Sequence, residues 1–150
     1  MAQLDAERAF YTAFAALAYP YVSYPNGEKI NTVASPIPAN TLWYALDTLY
    51  SNSVAVGIGN NTPIRYRGLF QVAIRAPVTD SFGNPFGTYA VGTRAEEIAL
   101  AFKLGTSLPY PVVTPTAWAQ CEEATITHLG NVEPEWYTVI VRIPFHMTYG

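Results

Sequence analysis

The sequence predicts an α+β fold: a two-layer sandwich in which an antiparallel or mixed four-stranded sheet carries helices on one face. Two long segments, "IRYRGLFQVAIRA" (64–76) and "EWYTVIVRIPFHMTY" (135–149), alternate apolar and polar residues at the period of a strand. Two others, residues 4–18 and a stretch near 93–102, space their apolar residues three and four apart, as a helix does. The order is helix, strand, strand, helix, strand, strand. That reads as two hairpins joined by a crossing helix, in one domain spanning residues 1–150.

In the first helix, "LDAERAFYTAFAALA", Ala6, Phe10, Ala13, Phe14 and Leu17 share a face opposite Asp5, Arg8 and Thr12. Asp5 and Glu7 suit the positive end of the helix dipole, and Pro20 is the stop signal. Residues 19–40 hold four prolines and a Pro-Asn-Gly turn, so they read as an extended loop or arm anchored by Tyr19, Tyr21 and Tyr24. "TLWYALDTLY" (41–50) is the first strand, with "SVAVGIGNNTP" as a kink and turn into the second. In that second strand Tyr66, Phe70, Val72 and Ile74 take one face, and Arg65, Arg67, Gln71 and Arg75 the other. Gly68 interrupts it, which marks a bulge or a close backbone approach.

Residues 77–92 read as a loop. Thr93 and Glu96 then have capping-box spacing, with the helix starting there or nearer Tyr89. Ala95, Ile98, Ala101 and Phe102 form its buried stripe, and Lys103 and Gly105 its end. A Pro-rich link follows. A weakly alternating strand over 117–129 then pairs through "GNVEPE" with the closing strand. There Tyr137, Val139, Val141, Ile143 and Phe145 face one way, and Trp136, Thr138, Ile140, Arg142 and His146 the other. Pro144 predicts that this last strand frays or lies at an edge.

Composition narrows the function. Charged residues make up 13% of the chain, against roughly 25% in an ordinary soluble domain, and eleven residues are Tyr. A thin ionic coat rich in Tyr suits a surface covered by other subunits. The net charge of −3 disfavours general affinity for nucleic acid. Cys121 is the only cysteine, which excludes a disulfide framework and a Cys-based metal site. Asp5 and Glu7 stand where a signal peptide needs positive charge, and Pro20 breaks the longest apolar stretch, so a cytoplasmic origin with no membrane association is expected.

No catalytic motif stands out. There is no P-loop, no HExxH and no G-x-S-x-G. "GIGNNT" lacks the third glycine of a dinucleotide fingerprint. Cys121 and His128 fall on opposite strand parities unless a bulge intervenes. Glu96–Glu97 read as first-turn helix acids, and Glu122–Glu123 as strand neighbours on opposite faces. No enzyme activity, cofactor or metal is expected. What remains is the arginine strand. Its aromatics Tyr66 and Phe70 lie opposite the arginines, whereas single-strand binders put both on one surface. Arg65, Arg67, Gln71, Arg75 and Arg142 are therefore read as subunit-interface candidates, and the exposed-loop aromatics Tyr21, Tyr24, Phe82 and Phe86 as partner-contact candidates. A nucleic-acid-binding module using Arg65, Arg67 and Arg75 is the alternative from a different class.

"RYRGLFQVAIRAP", "TRAEEIALAFKLGTSL" and "WYTVIVRIPFHMTY", in this order, resemble the tail terminators of long-tailed bacteriophages. The matching positions are Arg65, Tyr66, Gly68, Gln71, Val72 and Pro77 of the strand; Phe102, Lys103, Gly105 and Thr106 after the helix; and residues 139–145 of the closing strand. The resemblance runs from about residue 42 onward and includes the first helix. It implies a hexameric ring at the head-proximal end of the tail tube, which stops tube growth and offers a joint to the neck. The implied partners are copies of the chain itself, the tail tube protein, a neck or head-completion protein and a sheath where one exists. DNA would pass only as cargo, and the location would be the virion tail or neck. A head-completion or stopper ring is the neighbouring reading.

Overall fold

A computed structural model describes residues 2–24, 41–50, 54–55, 64–77, 87–133 and 136–149. In chain order the elements are α1 (Ala2–Ala15), β1 (Val22–Ser23), β2 (Trp43–Tyr50), β3 (Val54–Ala55), β4 (Ile64–Arg65), β5 (Arg67–Pro77), α2 (Gly87–Ala101), β6 (Ser107–Tyr110), β7 (Ala117–Cys121), β8 (Thr125–Glu133) and β9 (Trp136–Tyr149). The class is α+β with the helices on one face, as the periodicities predict. The expected four-stranded sheet is an undercount. The main sheet is seven-stranded and mixed, in the order β1-β2-β5-β9-β7-β6, with β8 also paired to β9; β3 and β4 form a separate two-stranded ladder. The strands missed are β1, which pairs parallel to β2 inside the expected arm, and β6, inside the Pro-rich link. Both are too short to show a period. Pro109 is tolerated in β6 because that strand is the sheet's edge.

The long strand predicted over 117–129 is two strands. Residues 122–124 leave the ladder between β7 and β8. Cys121 pairs with Phe145 and Thr125 with Arg142, so four steps on one side oppose three on β9. The extra residue flips the parity and blurs the alternation. Pro144 sits opposite this interruption. It lies on the central strand of the sheet, not at a frayed edge. Its carbonyl accepts from the Glu122 N–H at 2.7 Å, so its own nitrogen faces the same gap. The missing N–H therefore costs no ladder bond.

The core lies between the helices and one sheet face. Ala6, Ala9, Phe10 and Phe14 of α1 and Val91, Ala95 and Ile98 of α2, with Phe102 just beyond it, pack on Phe70, Val72, Ile74, Val139, Val141, Ile143, Phe145 and Met147. Phe10 stacks on Phe70 with ring centres 4.6 Å apart and tilts against Phe145 at 4.8 Å and Phe102 at 5.9 Å. Helix α1 ends at Ala15, before Pro20, in tight i→i−3 turns that close on Ala18 at φ 58°.

Helix α2 begins at Gly87, two residues before Tyr89. Thr93 is therefore an exposed mid-helix residue and not a cap, and Glu96 and Glu97 are not first-turn acids. Ala101 is exposed, because the buried stripe follows the 4-3-4 spacing of Val91, Ala95, Ile98 and Phe102. The helix stops at Ala101, short of the expected Lys103 and Gly105; Gly105, at φ +88°, lies in the turn beyond and donates its N–H to the Cys121 carbonyl at 2.9 Å. No helix among the described residues is long and apolar enough to cross a membrane.

Gly68 marks a close approach. The ladder runs through it without a bulge, pairing Gly68 with Tyr50 and Phe145. A Cβ there would stand 2.6 Å from the Leu49 carbonyl oxygen and 2.6 Å from the Phe145 ring. Backbone and a core aromatic cannot both move aside cheaply. Gly68→Ala should therefore destabilise the fold by about 1–3 kcal/mol. Urea denaturation should show this as a lower midpoint at an unchanged slope.

Candidate functional site

The face of the sheet turned away from the helices carries the arginine strand. Directly paired residues share a face, so the registers build it row by row. Arg67 stands beside His146, Leu69 between Leu49 and Pro144, Gln71 between Asp47 and Arg142, Ala73 between Ala45 and Ile140, and Arg75 between Trp43 and Thr138. The predicted split is observed within β5 and β9: Arg67, Gln71, Arg75 and Arg142 lie on one surface, whereas Tyr66, expected on the apolar face, falls between β4 and β5 and is exposed. Arg65 lies in β4, and its side chain is outside the described residues.

This face has two unlike halves. At one end Trp43, Thr138 and Ile140 are buried. Arg75 is half-buried, with its guanidinium 4.9 Å from the centre of the Trp43 ring, and Trp136 meets Trp43 edge-on at 6.0 Å. That cation–π contact already engages the Arg75 charge within the chain. It also corrects one expectation. Aromatic rings do share the arginine face, because β2 and β9 bring them there, but Trp43 is 7% exposed and offers no plane for a base to stack on.

Arg142 is half-buried in mid-face, donating to Gln71 Oε1 and Thr127 Oγ1 at 3.3 Å each. The other end is open. Arg67 is exposed, Leu49 is 48% exposed, and Leu49, Tyr50, Gly68, Leu69 and Pro144 line a shallow apolar dent.

The aromatic partner-contact candidates divide. Tyr24 is half-buried and packs edge-on to Tyr11 at 5.5 Å, whereas Tyr21 is exposed. Phe82 and Phe86 lie outside the described residues. Tyr19 serves the fold. It stacks on Tyr44 at 5.2 Å, lies under Arg94 at 4.3 Å and donates to Glu97 Oε2 at 3.4 Å. Arg94 also donates to the Tyr44 hydroxyl and pairs with Glu97 at 3.0 Å.

The most exposed large apolar side chains among the described residues are Leu100 on α2, Leu104 just beyond it, and Val112–Val113 between β6 and β7, none of them expected from the sequence. The leucines were legible in principle: they fall four apart, outside the stripe of Ala95, Ile98 and Phe102.

The titratable groups assemble no catalytic constellation among the described residues. No group of three or more His, Cys, Asp or Glu side chains gathers there. The extra residue between β7 and β8 does put Cys121 and His128 on one face, paired with Phe145 and Val139. Those partners stand six positions apart on β9, a span of about 20 Å. His128 instead meets the Tyr137 hydroxyl at 3.3 Å. Glu122 and Glu123 lie in the gap between strands, not on a strand. Burial pushes the Cys121 thiol up to about 12. Burial also raises the Tyr44 phenol to about 12, against the opposing pull of Arg94.

No protein-family model matches the chain, and comparison with characterised proteins finds no similar sequence.

Cys121 should resist DTNB in the native protein at pH 8 and label fully in urea. Both raised groups are neutral when protonated. The stability they contribute is complete below the unfolded values, which lie near 9 and 10. It is lost as the pH climbs through the folded ones. The urea midpoint should therefore fall as pH is raised from about 9 toward 12.

Proposed function

We propose that this chain is a structural subunit of a long-tailed phage virion. It is a tail terminator that forms a ring at the head-proximal end of the tail tube, ends tube polymerisation and provides the joint to the neck. The observation that carries this reading is the open half of the helix-free sheet face. There an apolar dent of Leu49, Leu69 and Pro144 lies between Arg67 on one side and Arg142 on the other. An apolar centre rimmed by guanidinium groups is the make-up of a protein interface. The low charge content of the whole chain supports extensive burial between copies.

A ring requires head-to-tail contacts that close, using two different patches of each subunit. The net charge of −3 suits a wall past which DNA slides without being held. In this reading the arginines meet protein, the partners are further copies, the tube protein and a neck protein, and DNA is cargo. Chemistry on a small substrate has no part in it.

Light scattering after size exclusion, with native mass spectrometry, should show a closed oligomer, with six copies as the resemblance implies. Electron microscopy should place that ring on the last layer of the tail tube. A ring found only on the portal side makes the chain a stopper. A chain that stays monomeric at about 100 μM defeats the ring altogether. Salt-sensitive capture of DNA on a filter at micromolar protein would favour a nucleic-acid module instead.

A further inference from the structure

We propose that the open patch of the sheet receives helix α2 of a neighbouring copy, with Leu100 of that copy seated in the dent formed by Leu49, Leu69 and Pro144. The inference rests on the ring reading and specifies its contact.

Leu100 is 69% exposed. Exposed Glu96 stands one turn before it on the same outward side of α2, and exposed Lys103 follows two residues past the helix end at Ala101. The sheet patch offers a matching base at one end. Going along β5, the Arg67 row comes first, then the apolar Leu49–Leu69–Pro144 row, then the row that carries Asp47, Gln71 and Arg142.

The spacings agree. Four helical residues rise about 6 Å, and two strand residues advance about 6.7 Å. A helix laid along β5 with Leu100 in the dent brings Glu96 over Arg67. Acid meets base there, and the leucine fills the apolar row beside it. Reversing the helix would move Glu96 from Arg67 to the row where Asp47 and Arg142 carry opposite charges. The Glu96–Arg67 pair thus selects one polarity.

The two patches lie on opposite layers of the molecule. Each copy can therefore offer its helix to one neighbour and its sheet to another, which is the heterologous contact a ring requires.

The test uses the full-length protein with Leu100→Glu, Leu49→Glu, Arg67→Glu and Arg67→Glu/Glu96→Arg variants, with folding checked by circular dichroism. Both leucines are solvent-exposed, so each variant keeps its core. Leu100→Glu and Leu49→Glu should each raise the dissociation concentration of the oligomer by at least ~30-fold, as loss of a central contact does. Mixed one to one, they should give a dimer that grows no further, because one retains the intact helix stripe and the other the intact sheet patch. Arg67→Glu should weaken assembly, and the double charge exchange should restore it.

Variants that assemble like the wild type, or a mixture that gives no dimer, would overturn this contact while leaving a wild-type ring in place. A monomeric wild type would overturn the ring and the contact together.

Discussion

The structure depends on one contact: the seating of Phe10 among Phe70, Phe102 and Phe145. The four rings come from α1, β5, the residue after α2, and β9. Their centres lie between 4.6 and 5.9 Å from Phe10. Offset and tilted ring pairs at these distances contribute about 0.5–1.5 kcal/mol each beyond the area they bury. Because the cluster draws from both helices and both central strands, it places the helix layer on one face of the sheet. The opposite face carries the arginines together with a buried Trp43–Ile140 end and an open apolar end. Gly68 belongs to the same constraint, since the Phe145 ring occupies the space its side chain would need.

The helix-free face follows from that arrangement, and its halves differ for a local reason. Where Trp43, Trp136 and Arg75 meet, the surface is closed by the chain's own aromatic rings. Where Gly68, Leu69 and Pro144 meet, small or short side chains leave a dent beside an exposed arginine. One arginine stripe therefore holds residues with separate tasks. Arg75 is a packing residue, Arg142 ties β9 to β5 and β8, and Arg67 is exposed.

Much of this architecture was legible in the sequence. The alternation through Phe70, Val72 and Ile74 and through Val139, Val141 and Ile143 named the two central strands and the face each would bury. The spacing of Ala6, Phe10 and Phe14 named the first helix. What could not be read has physical causes. Two residues of β1 and four of β6 are too few to carry a period. The slip at residues 122–124 cancels the parity on which the alternation rests, and it also hides why Pro144 is tolerated at the centre. Thr93 and Glu96 have the spacing of a cap but lie within a helix already under way from Gly87. The arginine stripe was readable as a stripe. The dent beside it was not, because it is made by three strands distant in the chain, and a single leucine such as Leu100 carries no contact signal in sequence because exposed leucines are ordinary.

The placement of β9 also bears on biosynthesis. This strand joins β5 on one side to β7 and β8 on the other, yet it emerges from the ribosome after both helices and the other eight strands. Until it arrives, α1 and α2 have half a floor to rest on, and Phe10 and Phe102 lack the Phe145 ring. Much of the packing therefore waits on β9: before it pairs, β1-β2-β5 and β6-β7 are separate pieces, and β8 has no other partner strand among the described residues.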